Sequence, residues 1–80
     1  GRELVAFAAD SDVWAVAFHP DGKRLATGSG DGIVQLWDIP TRQEVARLKV
    51  GTDTIVSVHF SPDGRFFAAA EWTNEVTVWD

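Results

Sequence analysis

Cysteine is absent from this 80-residue chain. No disulfide can therefore staple the fold, and no thiolate can hold a metal. A cytoplasmic location is the expectation, although a lack of cysteine fits the cytosol without excluding any compartment. A basic stripe is also missing. Seven Lys and Arg residues stand against twelve Asp and Glu, for a net charge of −5, and the basic residues are scattered. Nucleic-acid binding needs clustered cations that release counterions, so that class is not expected. Anionic membrane surfaces are disfavoured for the same reason, and basic or amphipathic protein partners are favoured. No apolar run reaches the length of a membrane span, and no leader pattern opens the chain. An initiator methionine is missing as well, and the chain ends on its own recurring motif. It reads as a piece of a longer reading frame or a unit trimmed to repeat boundaries. No segment sustains a helical period, while Gly and Pro recur throughout.

What the chain does contain is a repeat. Residues 13–38 and 55–80 align without a gap at a shift of 42 positions and match at 9 of 26 places. The matches are Val16/Val58, Phe18/Phe60, Pro20/Pro62, Asp21/Asp63, Gly22/Gly64, Ala26/Ala68, Val34/Val76, Trp37/Trp79 and Asp38/Asp80. A period of this size marks units that cannot bury their own apolar surface and must stack. Two units in so short a chain bury little, so an isolated monomer is expected to be marginal.

Short apolar-rich segments between turn clusters predict strands at 3–8, 13–18, 24–29, 33–38, 44–49, 55–60, 66–71 and 75–79. Pro20-Asp21-Gly22 and Pro62-Asp63-Gly64 predict tight hairpin turns, with proline presetting φ and glycine supplying a positive φ. Ser29 to Gly32 predicts a second turn, with Thr73-Asn74 in its place in the other repeat. Asp38 to Thr41 predicts a third. Val16 and Phe18 alternate with Ala15 and Ala17, and Val34 and Leu36 with Gln35 and Trp37. Apolar residues thus fall on both faces of the inner strands, which both need covering. Glu3, Glu44, Arg47 and Lys49 suit outer strands.

The chain resembles the WD-repeat family of β-propellers. The likeness rests on Phe18-His19-Pro20-Asp21-Gly22, on Leu25 through Gly32 and on Leu36-Trp37-Asp38. Phe60-Ser61-Pro62-Asp63-Gly64 and Val78-Trp79-Asp80 provide a second, in-phase copy. The resemblance implies an all-β fold of four-stranded antiparallel blades around a channel. It also implies a phase offset. Residues 1–12 would hold an outer strand belonging to a neighbouring blade, and 13–54 a complete blade. Residues 55–80 would supply three inner strands lacking the outer one. Strand 3–8 of one copy would then pair with strand 75–79 of the next, giving a trimer of six blades or a tetramer of eight. The alternative is a ring completed by missing blades of a longer chain. The family often carries a hydrogen-bonded His, Ser/Thr, Asp and Trp set. Here Thr27, Asp31 and Trp37 match it in the first repeat, with Asp10 or Asp12 near the place of the His. Only Trp79 matches in the second, where Ala69 and Thr73 stand at the other positions.

Function is weighed between classes. Carboxylates at Asp10, Asp12, Asp31, Asp53, Glu71 and Glu75 are expected toward one rim, so glycoside hydrolysis ranks as the lowest reading. Turn chemistry and solvated charge account for them without divergent pKa values. His19 and His59 sit at unequal places and predict no metal site. Gly28 to Gly32 lacks the Lys and helix of a phosphate loop, and no cofactor is expected. Trp37 and Trp79 recur in phase and are read as structural. Trp14 and Trp72 do not recur, and their counterparts are Val56 and Gly30. Out-of-phase aromatics suit recognition, because aromatic anchors dominate binding. By the resemblance they lie on the face that usually meets partners, flanked by Asp12, Thr54 and Val56. The expected function is a non-catalytic protein or peptide interaction scaffold. The alternative is a self-assembling unit with no ligand of its own.

Overall fold

The computed structural model describes residues 12–80. The expected strand at 3–8, with Glu3 and Asp10, lies outside these residues. Seven strands follow in chain order: β1 (Val13–Phe18), β2 (Arg24–Ser29), β3 (Ile33–Asp38), β4 (Gln43–Lys49), β5 (Ile55–Phe60), β6 (Phe67–Glu71) and β7 (Val76–Trp79). They form one four-stranded sheet, β1-β2-β3-β4, and one three-stranded sheet, β5-β6-β7, both antiparallel throughout. Four strands have the bounds read from the sequence, and three differ by one residue. Phe66 falls outside β6 because its N–H is taken by Ser61 Oγ at 3.0 Å and its carbonyl by the Ser61 N–H at 2.9 Å, which closes the turn. Glu75 similarly closes the next turn, its carbonyl accepting the Glu71 N–H at 2.9 Å.

The turns follow the residues that demand them. Gly22 and Gly64 adopt φ of 73° and 77°, and each donates its N–H to the residue three back, His19 or Ser61, at 2.9 Å. Asp21 and Asp63 accept the N–H two residues on, at 2.8 and 3.0 Å, as Asx turns. At the second turn Asn74 adopts φ of 73° where the first repeat has Gly32 at 79°. Asparagine tolerates this left-handed region better than most side chains, which explains why the second repeat can dispense with a glycine.

Register decides which residues meet between the sheets. Ala15 pairs with Gly28 and Ala17 with Ala26; across β3, Gly28 pairs with Val34 and Ala26 with Leu36. These small residues form a shallow face that receives β5. A Cβ on Gly28 would collide with the Ile55 side chain, and Ile55 is fully buried. Val58, Phe67 and Ala69 complete the buried core, with Phe60 and Trp79 packed on it. Phe60, Phe67 and Trp79 stack in sequence, with ring centroids 4.9 and 5.5 Å apart.

The remaining faces show how the repeats relate. Val34 is fully buried, whereas Val76, its partner under the shift of 42, is 65% exposed. Val58 is 3% exposed, whereas its partner Val16 is 55% exposed, and Phe18 is 68% exposed. The face that carries Val34 is covered in the first sheet and open in the second. On the opposite face of the first sheet the edge residues Val16 and Phe18 are exposed, whereas Leu25, Thr27, Gln35 and Trp37 on the inner strands are buried. Both faces of each sheet carry apolar residues, as the alternation required, and among the described residues Val16, Phe18, Val76 and Val78 are left exposed.

Candidate functional site

Both repeats carry a β-bulge at the same place. The β1–β2 register slips between Val13 and Ala15, and the β5–β6 register between Ile55 and Ser57. Trp14 and Val56 are the extra residues. A bulge re-aims a side chain at a strand end. Across from each bulge, the first residue of the following turn is held by one backbone bond. Gly30 donates to the Asp12 carbonyl at 3.0 Å, and Trp72 to the Thr54 carbonyl at 2.9 Å. Trp14 and Trp72, out of phase in sequence, therefore belong to one kind of cross-strand pair. The first repeat combines a large bulge residue with a small turn residue, Trp14 with Gly30. The second inverts it, Val56 with Trp72. A Cβ on Gly30 would lie 3.3 Å from Trp14 Nε1, so the indole occupies the room a side chain there would need.

This exchange places the two indoles on either side of the junction between repeats. Trp14, Asp53, Thr54, Val56 and Trp72 line one concavity of about 320 Å³. Four of the five residues singled out for recognition meet there. Asp12 does not line it, and Asp53, flagged in the sequence only as a carboxylate, does. Trp14 is 64% and Trp72 73% exposed. Asp53 is held in place from the first repeat. Gly32 at φ 79° packs so closely on the Gly51 carbonyl that no Cβ would fit, and the Asp53 carbonyl lies 3.0 Å from that same position. Val50 donates to the Gly32 carbonyl at 2.9 Å. Asp53 Oδ1 accepts the Thr54 N–H at 2.7 Å.

Asp53 also borders a second concavity, of about 480 Å³, lined by Val50, Gly51, Thr52, Glu71, Thr73 and Glu75 as well. Three of the six carboxylates expected toward one rim, Asp53, Glu71 and Glu75, gather here. Asp31 instead pairs with the Ser29 hydroxyl, which also lies 3.0 Å from the Ile33 carbonyl. That contact draws the Asp31 carboxyl below its ordinary range. Asp38 is lowered by the Thr41 hydroxyl and N–H, Asp63 by the Ser61 hydroxyl, and Glu44 by the Arg47 guanidinium and the Gln35 amide. Downward is the wrong direction for a general acid. Neither histidine lines the acidic concavity. His19 borders a third groove with Phe60, Gly64 and Trp79, its ring 4.9 Å from Phe60 edge-on and Nε2 3.4 Å from the Gly64 carbonyl.

Of the structural set read from the resemblance, Thr27 and Trp37 lie together. Trp37 Nε1 donates to Thr27 Oγ1 at 3.1 Å, fully buried. Asp31 bonds to Ser29 rather than directly to that pair. In the second repeat Ala69 offers Trp79 no acceptor, and the indole stacks on Phe67 instead. Sequence reading missed the buried Gln35, whose amide donates to Glu44 Oε2 at 2.6 Å while Arg47 Nη2 donates to the same atom at 2.9 Å. A polar residue alternating with Trp37 on an inner strand was the available signal.

Two antiparallel sheets stacked through one repeating strand-and-turn unit, with paired concavities along the rim of their junction, define a bladed repeat protein. The chain belongs to the WD40 family: the description "WD domain, G-beta repeat" matches residues 1–38 and 42–80. Among curated proteins it is similar to pre-mRNA-processing factor 19 homolog 2 of Arabidopsis thaliana, at 38% identity over 86% of this chain and 13% of that protein. It is similar to protein tipD of Dictyostelium discoideum, at 34% identity over 89% of this chain and 12% of that protein. The β subunit of a guanine nucleotide-binding protein from Oryza sativa subsp. indica shares 33% identity over 89% of this chain and 20% of its own length. The chain thus spans a fifth or less of these relatives.

Proposed function

We propose that this chain is a non-catalytic interaction scaffold, and that the concavity between Trp14 and Trp72 is its recognition surface. The observation that carries this reading is the exposure of two indoles that line one concavity at the junction of the repeats. Large aromatic rings in solvent contribute nothing to the core of this chain, and aromatic residues supply most hot spots in protein interfaces. Relatives named as a pre-mRNA-processing factor, a transcription initiation factor subunit and a guanine nucleotide-binding protein subunit support the same class. A displayed random-peptide library tests it, selected on the wild-type chain and counter-selected on the Trp14→Ala, Trp72→Ala double variant. The reading expects peptides that bind the first and not the second. Selected peptides indifferent to both substitutions would contradict it.

A second reading is favoured by the exposed valines. Val76 and Val78 on one side, and Val16 and Phe18 on the other, occupy positions that the shift of 42 makes equivalent to covered ones. We infer that neighbouring blades cover them, with residues 1–12 contributing the outer strand of the blade formed by 55–80. Copies of this chain can supply those blades head to tail, as a trimer of six or a tetramer of eight. Such an interface is heterologous and must close into a ring.

A further inference from the structure

We propose that the Trp14–Trp72 concavity takes a lysine or arginine side chain from a protein partner, and that a second basic residue of the same segment lies against the acidic concavity beside it. This rests on the recognition reading above and names what is recognised. The two concavities share Asp53 as a common wall. On one side are two exposed indoles with Thr54 and Val56; on the other are Glu71 and Glu75. No Lys or Arg among the described residues lines either one. Among the described residues, the only hydrogen bond to the Asp53 carboxylate comes from the Thr54 N–H to Oδ1, so Oδ2 remains available to a donor. Asp53 is half-buried, which shields a charge pair there from salt better than at an open surface.

Indole faces attract cations more strongly than phenyl or phenol faces do. A site with two indoles and a carboxylate at its edge therefore suits an aliphatic stem carrying a positive head. The stem lies along the rings and Val56, and the head reaches Asp53. An apolar side chain would fill the same space but leave the carboxylate partly desolvated without a partner, which is unfavourable. A glutamate would meet three carboxylates. The chain's net charge of −5 steers basic segments toward it.

The test uses synthetic peptides carrying Lys-x-Lys or Arg-x-Arg, with norleucine and glutamate counterparts. The full chain is titrated and the indole N–H resonances of Trp14 and Trp72 are followed by NMR. The basic peptides are expected to move both resonances and to bind roughly tenfold more tightly than the norleucine peptide. Their affinity should fall as salt is raised. Asp53→Asn keeps the acceptor for the Thr54 N–H but removes the charge, so it should narrow the gap between lysine and norleucine without altering the β-sheet circular dichroism. Equal binding of lysine and norleucine peptides at these indoles would overturn the cationic assignment and leave the recognition surface standing. If no peptide moves either indole resonance, both fall together.

Discussion

Thr27 and Ala69 occupy one position in two repeats, and the difference sets how each tryptophan is held. Thr27 accepts the Trp37 indole N–H inside the sheet at 3.1 Å. Thr27→Val removes that acceptor at constant shape and is expected to cost about 1 kcal/mol in urea unfolding. Gly28 makes a sharper case. Its missing side chain is the space that Ile55 fills. Gly28→Ala should destabilise by roughly 1–3 kcal/mol through overpacking. Trimming the partner in a Gly28→Ala, Ile55→Ala double variant should cost less than the sum of the two single changes, as coupled neighbours do. Additive costs in a double-mutant cycle would show that the two sheets do not meet there.

At the scale of strands and turns, the hairpins are stitched by carboxylates that accept N–H and guanidinium donors. The Lys23 N–H and then the Arg24 guanidinium hold Asp21 at about 2. Asp31, Asp38, Glu44 and Asp63 are lowered in the same sense. A carboxyl with a folded pKa below its unfolded value binds more protons when unfolded. Its contribution is complete above the unfolded value near ~4 and disappears as pH falls toward the folded value. Thermal melting should therefore be flat from pH 7 to about pH 5 and fall steeply between pH 4 and pH 2. Asp21→Asn should soften that fall. The turns were legible in the sequence because proline, aspartate and glycine each impose a local conformation, and strand bounds followed from them. The tryptophan pair was legible only as an anomaly. Its geometry depends on two bulges and on a contact between repeats, and neither leaves a local pattern. Asp53 was read as one acid among many for the same reason: Gly32, 21 residues earlier, is what seats it.

At the scale of the whole molecule, the two sheets present mating surfaces that face outward. Covering Val16, Phe18, Val76 and Val78 should stabilise by about 1–2 kcal/mol for each side chain. Closure by neighbouring blades, as proposed above, would supply that stabilisation. Phe18→Asp and Val78→Asp each place a charge at the centre of such a contact. Either should dissociate assemblies and lower the melting temperature more than a charge at an exposed turn such as Lys23→Asp. The rim concavities lie within one chain, so their residues should still meet once the ring is formed by any set of neighbours.

The most direct measurement is sedimentation equilibrium of the full chain beside its Phe18→Asp, Val78→Asp double variant. Mutual covering of the two open faces predicts a closed trimer or tetramer for the wild type, with sheet circular dichroism lost as it dissociates. The double variant is then a poorly folded monomer. A wild-type chain that remains a cooperatively folded monomer at millimolar concentration, matched in stability by the double variant, would contradict it.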